Sequence, residues 1–354
     1  MGNFISGGRT SQDTVGGDDH RIPREHWPNV DVTWVDFQKR RKSPYYVEND
    51  QDDGDDMGLN GFLFPGGFVI PDSVIELILA LVRPEDILRC NLVCKNWKDI
   101  ITRKSYWKIW FDRNKWDWNM IPQHIKDMPQ AWIVFHAQVR HHIFTKNYVV
   151  NHSGVGDSTY KHRNDFRNWT IDRNGGDRWK LETNPKGCNP LSPDPFFDNS
   201  TSAWVTSFSP CSKWTSIDLW EMGLTPPVMM TCLPFSLVCS QMYTARFDSG
   251  GVFTWTLRTL DRQEEIIHEF TEVYELKPEM EWQTATHPFP FKEEHIDNIS
   301  ELRSLVFVHQ GKDDRFWKGH YGIKFSRSCV KLQLDTPSAR DGDGVVEVVD
   351  KSEN

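Results

Sequence analysis

Apolar residues between positions 71 and 101 recur at the spacing of an amphipathic helix. Four of them stand at i, i+3, i+4 and i+7: Val74, Leu77, Ile78 and Leu81. Pro71 and Asp72 precede this stripe, and a proline with an acidic side chain at the positive end of the helix dipole is typical of a helix start. Pro84 repeats that signal, and we expect a second buried face after it: Ile87, Cys90, Cys94, Trp97 and Ile101. The pattern predicts short helices over residues 68–113.

From about residue 149 onward the apolar positions alternate with polar ones. The clearest alternating runs are Phe253/Trp255/Leu257, Leu305/Phe307, Tyr321/Ile323/Phe325 and Val330/Leu332/Leu334. Turns rich in Gly and Asp, at 248–251 and 311–314, separate these runs. Short period-two segments between such turns predict an all-β sandwich or barrel.

These patterns divide the chain into two folded regions with polar ends. We predict an α+β multidomain chain with a small helical region at 68–113, a helical linker at 114–146 and an antiparallel β domain at 147–335. Residues 1–66 and 336–354 hold too little apolar sequence to bury a core, so we predict that both are disordered.

Composition narrows the class of partner. The net charge of −9 and the isoelectric point near 5.8 argue against nucleic acid, which needs a clustered basic face. The mean hydropathy is −0.59, and no run approaches the ~20 apolar residues of a membrane span. With seven cysteines and no basic start followed by an apolar core, we expect no secretory signal, free thiols and a cytoplasmic location.

The first six residues fit the N-myristoylation pattern, with Gly2 after the initiator and Ser6 at the sixth position. The alternative is an N-terminus that merely begins with Met-Gly. One myristoyl chain holds a membrane only weakly without a second signal, which the basic run at 39–42 could supply. The sequence therefore leaves open a weak association with the cytosolic face of a membrane.

Metal, cofactor and nucleophile motifs are not evident. Cys90 and Cys94 are four residues apart on a predicted helix, but Cys90 belongs to its buried face. The histidines at 136, 141 and 142 lack the spacing of a zinc site. We expect no metal, no cofactor and no catalytic centre.

The helical segment resembles the F-box. Residues 68–81 are similar to its opening Leu-Pro helix, residues 85–88 to its second helix start, and 92–97 (Leu-Val-Cys-Lys-Asn-Trp) to its Val-Cys-Lys-x-Trp signature. The resemblance implies docking to a Skp-type adaptor, and through it to a cullin, by packing of an apolar helical face. The expected contacts are Pro71, Leu81, Ile87 and Leu88.

The β region resembles the F-box-associated domain of the sugar-recognising F-box-only proteins. Residues 174–179 (Asn-Gly-Gly-Asp-Arg-Trp), 207–219, 246–253 and 316–319 (Phe-Trp-Lys-Gly) are similar to successive landmarks of that domain. The family fold is an antiparallel, jelly-roll-like β-sandwich, so the resemblance implies that fold here.

In the sugar-recognising members, a shallow site at one end of the sandwich binds the inner chitobiose of N-linked glycans on misfolded glycoproteins. The resemblance places this site at Phe208, Asp248, Phe316, Trp317 and Lys318. These residue types suit a sugar, because an aromatic ring covers its C–H face while a carboxylate and an ammonium bind its hydroxyls. Phe316 stands where the family has Tyr, and Ser240-Gln241-Met242 replaces an Asp-Trp pair.

Three hypotheses follow. The first is a non-catalytic ubiquitin-ligase receptor for N-glycosylated, misfolded proteins. The second keeps the receptor role but has the β domain bind a protein epitope. The third is a carbohydrate hydrolase, which is weaker because only one carboxylate, that of Asp248, is placed beside the expected sugar platform.

Overall fold

The computed structural model describes residues 46–47, 61–63, 69–154 and 166–335. Our predictions for Gly2, for the basic run at 39–42 and for the tail at 336–354 lie outside these residues. Within the segment 1–66, the structure describes two short strands that the sequence did not predict, at 46–47 and 61–63.

Three short strands precede the helices and form an antiparallel sheet of their own: β1 (Tyr46–Val47), β2 (Gly61–Leu63) and β3 (Val69–Pro71). Four helices follow in the predicted helical region: α1 (Asp72–Leu79), α2 (Pro84–Cys90), α3 (Lys95–Thr102) and α4 (Lys104–Arg113). The linker contains a 3-10 turn at Trp118–Met120, then α5 (Gln123–Lys126) and α6 (Ala131–His141). The two predicted helix starts at Pro71 and Pro84 are therefore confirmed.

The helical core is built from one face of each helix. Ile87 and Ile101 are fully buried, and Trp107 packs with them while its indole N–H donates to the carbonyl of Ile101 at 2.7 Å. On α1, however, the buried apolar residues are Ile75 and Leu79. The apolar stripe that predicted α1 therefore points away from this core, to the exposed side of the helix.

The β domain is a sandwich of two five-stranded antiparallel sheets. The first has the order β10-β9-β12-β7-β4 and the second β11-β8-β13-β6-β5. The strands are β4 (Thr170–Asn174), β5 (Lys180–Glu182), β6 (Ala203–Val205), β7 (Cys211–Asp218), β8 (Phe235–Thr244), β9 (Gly251–Leu260), β10 (Ile266–Leu276), β11 (Gln283–Phe291), β12 (Ser304–Asp313) and β13 (Lys324–Leu334). Two short helices connect strands: α7 (Pro226–Thr231) and α8 (Ile296–Glu301). The predicted fold class, a helical region followed by an antiparallel β-sandwich, is confirmed.

The alternation of apolar and polar residues predicted a strand well where that strand pairs with a neighbouring strand on each side. Phe253, Trp255 and Leu257 are all fully buried along β9, whose burial alternates at every position. Tyr321 and Ile323 depart from the prediction, because β13 begins only at Lys324. They lie in the loop that follows β12, and this loop carries the candidate site.

Four loops lie next to one another at one end of the sandwich, which we call the loop-cluster end. Because all pairs are antiparallel, the end of β12 at Asp313 lies beside the start of β9 at Gly251 and near the start of β7 at Cys211. Asn174, the last residue of β4, pairs with Cys211 there. The segments after β4, before β7, before β9 and after β12 are therefore neighbours, although up to 140 residues separate them (174 to 314).

The sandwich interior contains ionisable side chains. Lys213 is fully buried, with its Nζ 3.1 Å from the ring centroid of Trp204 and 3.5 Å from that of Trp169, and it has no hydrogen-bond partner in the described part of the chain. His309, its cross-strand neighbour, is equally buried and unpartnered there. By contrast, the buried Lys324 donates to Glu182 at 2.7 Å.

The segment at 147–154, which follows the linker, is hydrogen-bonded to β13. The backbone N–H groups of Tyr148 and Ser328 donate to the carbonyls of Val330 and His152, at 2.9 and 3.0 Å. Across the described ranges, we find no helix with the length and apolar character that a membrane span requires.

Candidate functional site

The helical region exposes several large apolar side chains, which we call the helical apolar face. It comprises seven side chains that are 41–75% exposed: Val74, Leu77, Ile78, Leu81, Leu88, Leu92 and Val93. They lie on α1, on α2 and in the turns that follow each of these two helices. Exposed apolar side chains concentrated in one short segment mark an interaction surface.

The four predicted adaptor contacts differ in their exposure to solvent. Leu81 and Leu88 belong to the helical apolar face, and Pro71 is half-buried at the N-cap of α1. Ile87 is completely buried, so its side chain is part of the helical core and is not available to a partner in this conformation. The exposure of Leu92 and Val93 was not predicted, although their position between two predicted helices was a usable signal.

At the loop-cluster end of the sandwich, the loop after β12 exposes two aromatic rings to solvent. Phe316 is 69% and Trp317 47% exposed, and Lys318 beside them is exposed. The Asp313 carboxylate holds the start of this loop by accepting from the backbone N–H groups of Arg315 and Phe316, at 3.0 and 2.7 Å. Phe316 itself has a left-handed backbone, with φ of 56°.

Two further segments fix the far side of this loop. The Ser207 hydroxyl donates to the carbonyl of Gly319 at 2.7 Å and accepts from the N–H of Asp177 at 2.9 Å. Phe208 is half-buried against Gly176, where an added Cβ would lie 3.0 Å from the Phe208 ring. Phe208 thus packs beneath the loop cluster, with part of its ring accessible.

Asp248 reaches the aromatic loop through Arg246. Both carboxylate oxygens accept from the guanidinium, from Nε at 2.9 Å and from Nη2 at 3.2 Å. The Arg246 guanidinium lies 4.7 Å from the Tyr321 ring centroid, and Tyr321 meets Trp317 edge-on with centroids 5.5 Å apart. The hydrogen bond from Arg246 lowers the pKa of the Asp248 carboxyl, so this side chain is an ionised acceptor at neutral pH.

Cations surround the exposed rings. Lys312 Nζ is 5.7 Å from the Phe316 ring centroid, and the Arg315 guanidinium is 6.0 Å from the Trp317 ring. Arg315 also forms an ion pair with Asp314 at 3.5 Å. The resulting surface offers flat apolar rings, hydrogen-bond donors and an ionised acceptor, which together suit a polar ligand with an apolar face.

A glycosidase would need a second accessible carboxyl group beside the platform. Asp313 is fully buried, and burial raises the pKa of its carboxyl, but its Oδ1 is engaged by two backbone N–H groups. Asp314 is ion-paired with Arg315. Both acids of this loop are therefore engaged by neighbouring groups.

The structure brings together the five residues that the sequence placed in this site. Phe316, Trp317 and Lys318 are on one loop. Asp248 is connected to this loop through Arg246. Phe208 is next in sequence to Ser207, which is hydrogen-bonded to the same loop at Gly319. Arg246 and Tyr321 were not predicted as part of this site. Both stand inside motifs singled out from the sequence, but only the fold shows that they contact each other.

Comparison with known proteins matches both regions. The family model described as F-box associated region covers residues 139–332, and an F-box-like model covers residues 68–111. Mouse F-box only protein 6 is 26% identical over 271 residues, which is 75% of this chain and 83% of that protein. Mouse F-box only protein 27 is 27% identical over 280 residues, covering 75% of this chain and 90% of that protein.

Among solved structures, the C-terminal family 22 carbohydrate binding module of Clostridium thermocellum Xyn10B is similar at 9% identity. The match covers 52% of this chain and 96% of that one, with a TM-score of 0.28. A similarity of this size supports no conclusion about ligands.

Proposed function

This chain belongs to the F-box-associated family and carries an F-box-like region, and from that premise we propose that it is the substrate-recognition subunit of a Skp–cullin–F-box ubiquitin ligase. In this role the helical region binds the Skp-type adaptor, the sandwich binds the protein to be ubiquitinated, and the chain itself catalyses nothing. We place the receptor in the cytoplasm.

The observation that carries the receptor role is the helical apolar face. Leu81 and Leu88 are 57% and 44% exposed. Leu81 lies in the turn after α1 and Leu88 on α2, within the region that matches the F-box-like model. Helices that dock into an apolar groove present their anchors in this way, on one side and within one or two turns. The buried Ile87 stabilises the face from behind without entering the contact.

Capture of a purified Skp-type adaptor by the full chain tests this role. We expect Leu81→Glu combined with Leu88→Glu to abolish capture, since central apolar anchors contribute ~2–4 kcal/mol each to such interfaces. Val273→Glu is a matched control, because Val273 is also 57% exposed but lies on β10 of the sandwich. Adaptor capture that survives the double substitution would refute the assignment.

We further infer that the sandwich end binds the inner chitobiose of N-linked glycans on misfolded proteins. Support comes from the two exposed rings of Phe316 and Trp317, beside the ionised Asp248 and the exposed Lys318. A pyranose can stack its C–H face on Trp317 while its hydroxyls bind the carboxylate and the ammonium.

Calorimetric titration with chitobiose tests the glycan assignment. We expect Trp317→Ala to weaken binding at least ~10-fold, because a stacking ring contributes about 1–2 kcal/mol or more. Trp214→Ala is the control, since Trp214 is 38% exposed but lies within β7, away from the loop cluster. Equal affinity in both variants would place the sugar elsewhere.

A protein epitope is the second candidate ligand, and the apolar character of the site favours it. Phe316 offers a ring without a hydroxyl, and Phe247, 58% exposed, lies next to Arg246 in the same loop cluster. Capture of cellular proteins before and after enzymatic deglycosylation separates the two ligands. Targets that remain bound without their glycans would favour the protein epitope.

We also propose that Gly2 is myristoylated and adds a weak membrane contact. The support is the sequence pattern at residues 1–6 alone. Intact mass of the chain from cells should exceed that of Gly2→Ala by one myristoyl group after correction for the substitution. Equal corrected masses would refute the modification.

A further inference from the structure

We propose that Arg246 is the positioning residue of the glycan site, holding the Asp248 carboxylate and the Trp317 ring in one fixed arrangement. This inference rests on the proposed glycan function. It adds a residue that need not touch the sugar, and it explains how two ligand-binding groups from different loops keep their relative geometry.

The first arm of the arrangement is the contact with Asp248. Arg246 Nε and Nη2 donate to the two carboxylate oxygens at 2.9 and 3.2 Å, which fixes the carboxylate plane. An ionised carboxylate has about four acceptor positions, so two remain for sugar hydroxyls. The guanidinium thus orients Asp248 without saturating it.

The second arm is the contact with Tyr321. The guanidinium is 4.7 Å from the Tyr321 ring centroid, and Tyr321 supports Trp317 edge-on at an interplanar angle of 89°. Gly187 also lies against the guanidinium, since an added Cβ there would lie 3.0 Å from Arg246 Cζ and would press on it. The guanidinium therefore contacts both Gly187 and Tyr321.

The backbone at Arg246 does not depend on its side chain. The N–H of Arg246 donates to Ser249 at 3.1 Å, and its carbonyl accepts from Glu279 at 3.0 Å. The N–H of Phe247 donates to Gly187 at 2.9 Å. Replacing the side chain should therefore leave the hairpin in place and remove only the two arms.

An arginine is required by this geometry. Its planar guanidinium can bind a carboxylate in bidentate fashion and stack on a ring at the same time, whereas a lysine ammonium does only one of these well. We accordingly expect Arg246→Lys to recover only part of the affinity that Arg246→Met loses.

Chitobiose titration of Arg246→Met tests the proposal, with Arg262→Met as the matched control. Arg262 also stacks on an aromatic ring, 4.9 Å from Trp220, and also pairs with a carboxylate, Glu301, but it lies at the opposite end of the sandwich. We expect at least ~10-fold weaker binding for Arg246→Met and wild-type affinity for Arg262→Met. Wild-type affinity in Arg246→Met would overturn the proposal.

Hydrogen exchange across residues 314–322 provides a readout that a general loss of stability would not mimic. Exchange there should rise in Arg246→Met and in Tyr321→Ala, and remain at the wild-type level in Tyr321→Phe, which keeps the ring, and in Arg262→Met. If Arg246→Met does not fold, the Tyr321 pair of variants decides the question. Unchanged exchange in Tyr321→Ala would then refute the positioning role.

The two proposals fail in different ways. If the wild-type chain does not bind chitobiose, the glycan function is wrong, but the exchange measurement still reports whether Arg246 orders the loop. If the wild-type chain binds chitobiose and Arg246→Met binds it equally, only the positioning role is wrong.

Discussion

The helical region and the sandwich differ in which kind of side chain is placed unfavourably. The helical region exposes apolar side chains, whereas the sandwich buries ionisable ones. Between residues 74 and 93 the helical region leaves seven large apolar side chains exposed. The sandwich instead buries Lys213, His309 and Lys324 completely. Exposed apolar surface and buried ionisable groups both reduce the stability of a chain on its own, so each requires a separate physical reason.

For the helices, the reason we propose is that an adaptor covers the exposed apolar side chains. α1 has eight residues and two apolar sides: Ile75 and Leu79 face the core, while Leu77 and Ile78 face outward. A short helix cannot bury both sides in a small domain. Periodicity therefore identifies residues that are to be removed from water, but it does not say whether the same chain or an adaptor removes them.

For the sandwich, the reason differs from one buried group to the next. Lys324 has an ion-pair partner in Glu182, whereas Lys213 is enclosed by the rings of Trp169 and Trp204 and has no hydrogen-bond partner in the described ranges. Two lysines in one interior therefore have opposite energetic roles, which substitution can measure.

The largest expected effect separates these two lysines. Lys324→Met should destabilise the chain by about 3–5 kcal/mol, because it leaves the buried Glu182 carboxylate without its partner. Lys213→Met should instead stabilise it by about 1–3 kcal/mol, since no partner loses a bond. Denaturant unfolding measures both, and a destabilised Lys213→Met would show that the aromatic enclosure contributes net stability.

The next effect compares two neighbours on α2. Ile87→Ala should cost about 2–5 kcal/mol of stability, as for a fully buried aliphatic side chain, and Leu88→Ala less than about 0.5 kcal/mol. Adaptor affinity should respond in the opposite order among molecules that remain folded. Similar stability losses in both variants would contradict the division between core and helical apolar face.

A smaller effect concerns pH. Burial lowers the pKa of His309, with the charge of Lys213 adding to the shift, and burial also lowers the pKa of Lys213. Since the unfolded chain then binds more protons, stability falls as the pH drops below the unfolded histidine pKa of about 6.5. Between pH 7 and 5 we expect His309 to contribute roughly 1–2 kcal/mol to this loss.

His309→Phe should flatten the pH profile in that range, and unfolding at several pH values measures it. Asp248 provides the opposite comparison, because Arg246 lowers the pKa of its carboxyl and keeps it ionised. Glycan affinity should therefore stay constant from pH 7 to 5 while stability declines. An unchanged stability profile in His309→Phe would assign the loss to other histidines.

The smallest expected change in stability is at the sugar platform. Trp317→Ala should alter the free energy of unfolding by less than about 0.5–1 kcal/mol, since the ring is 47% exposed. Binding should nevertheless fall, as proposed above. A large loss of stability would mean that Trp317 serves the fold more than the ligand.

Some parts of the candidate site could be predicted from local sequence and others could not. Phe316, Trp317 and Lys318 form one motif, so their proximity needs no fold. Asp248 was placed near them only through resemblance, and the structure connects it through Arg246 and Tyr321. That connection was not predictable from spacing, because residues 246 and 321 are separated along the chain by four strands, β9 to β12.

By itself, the sequence determined where helices start, where strands alternate and which segments carry aromatic and charged motifs, because these depend on neighbours within a few positions. The tertiary structure alone decided that the apolar stripe of α1 at Leu77 and Ile78 is exposed, and that Lys324 is paired while Lys213 is enclosed by aromatic rings. Those outcomes depend on which distant surface packs against a side chain, and local periodicity contains no information about that surface.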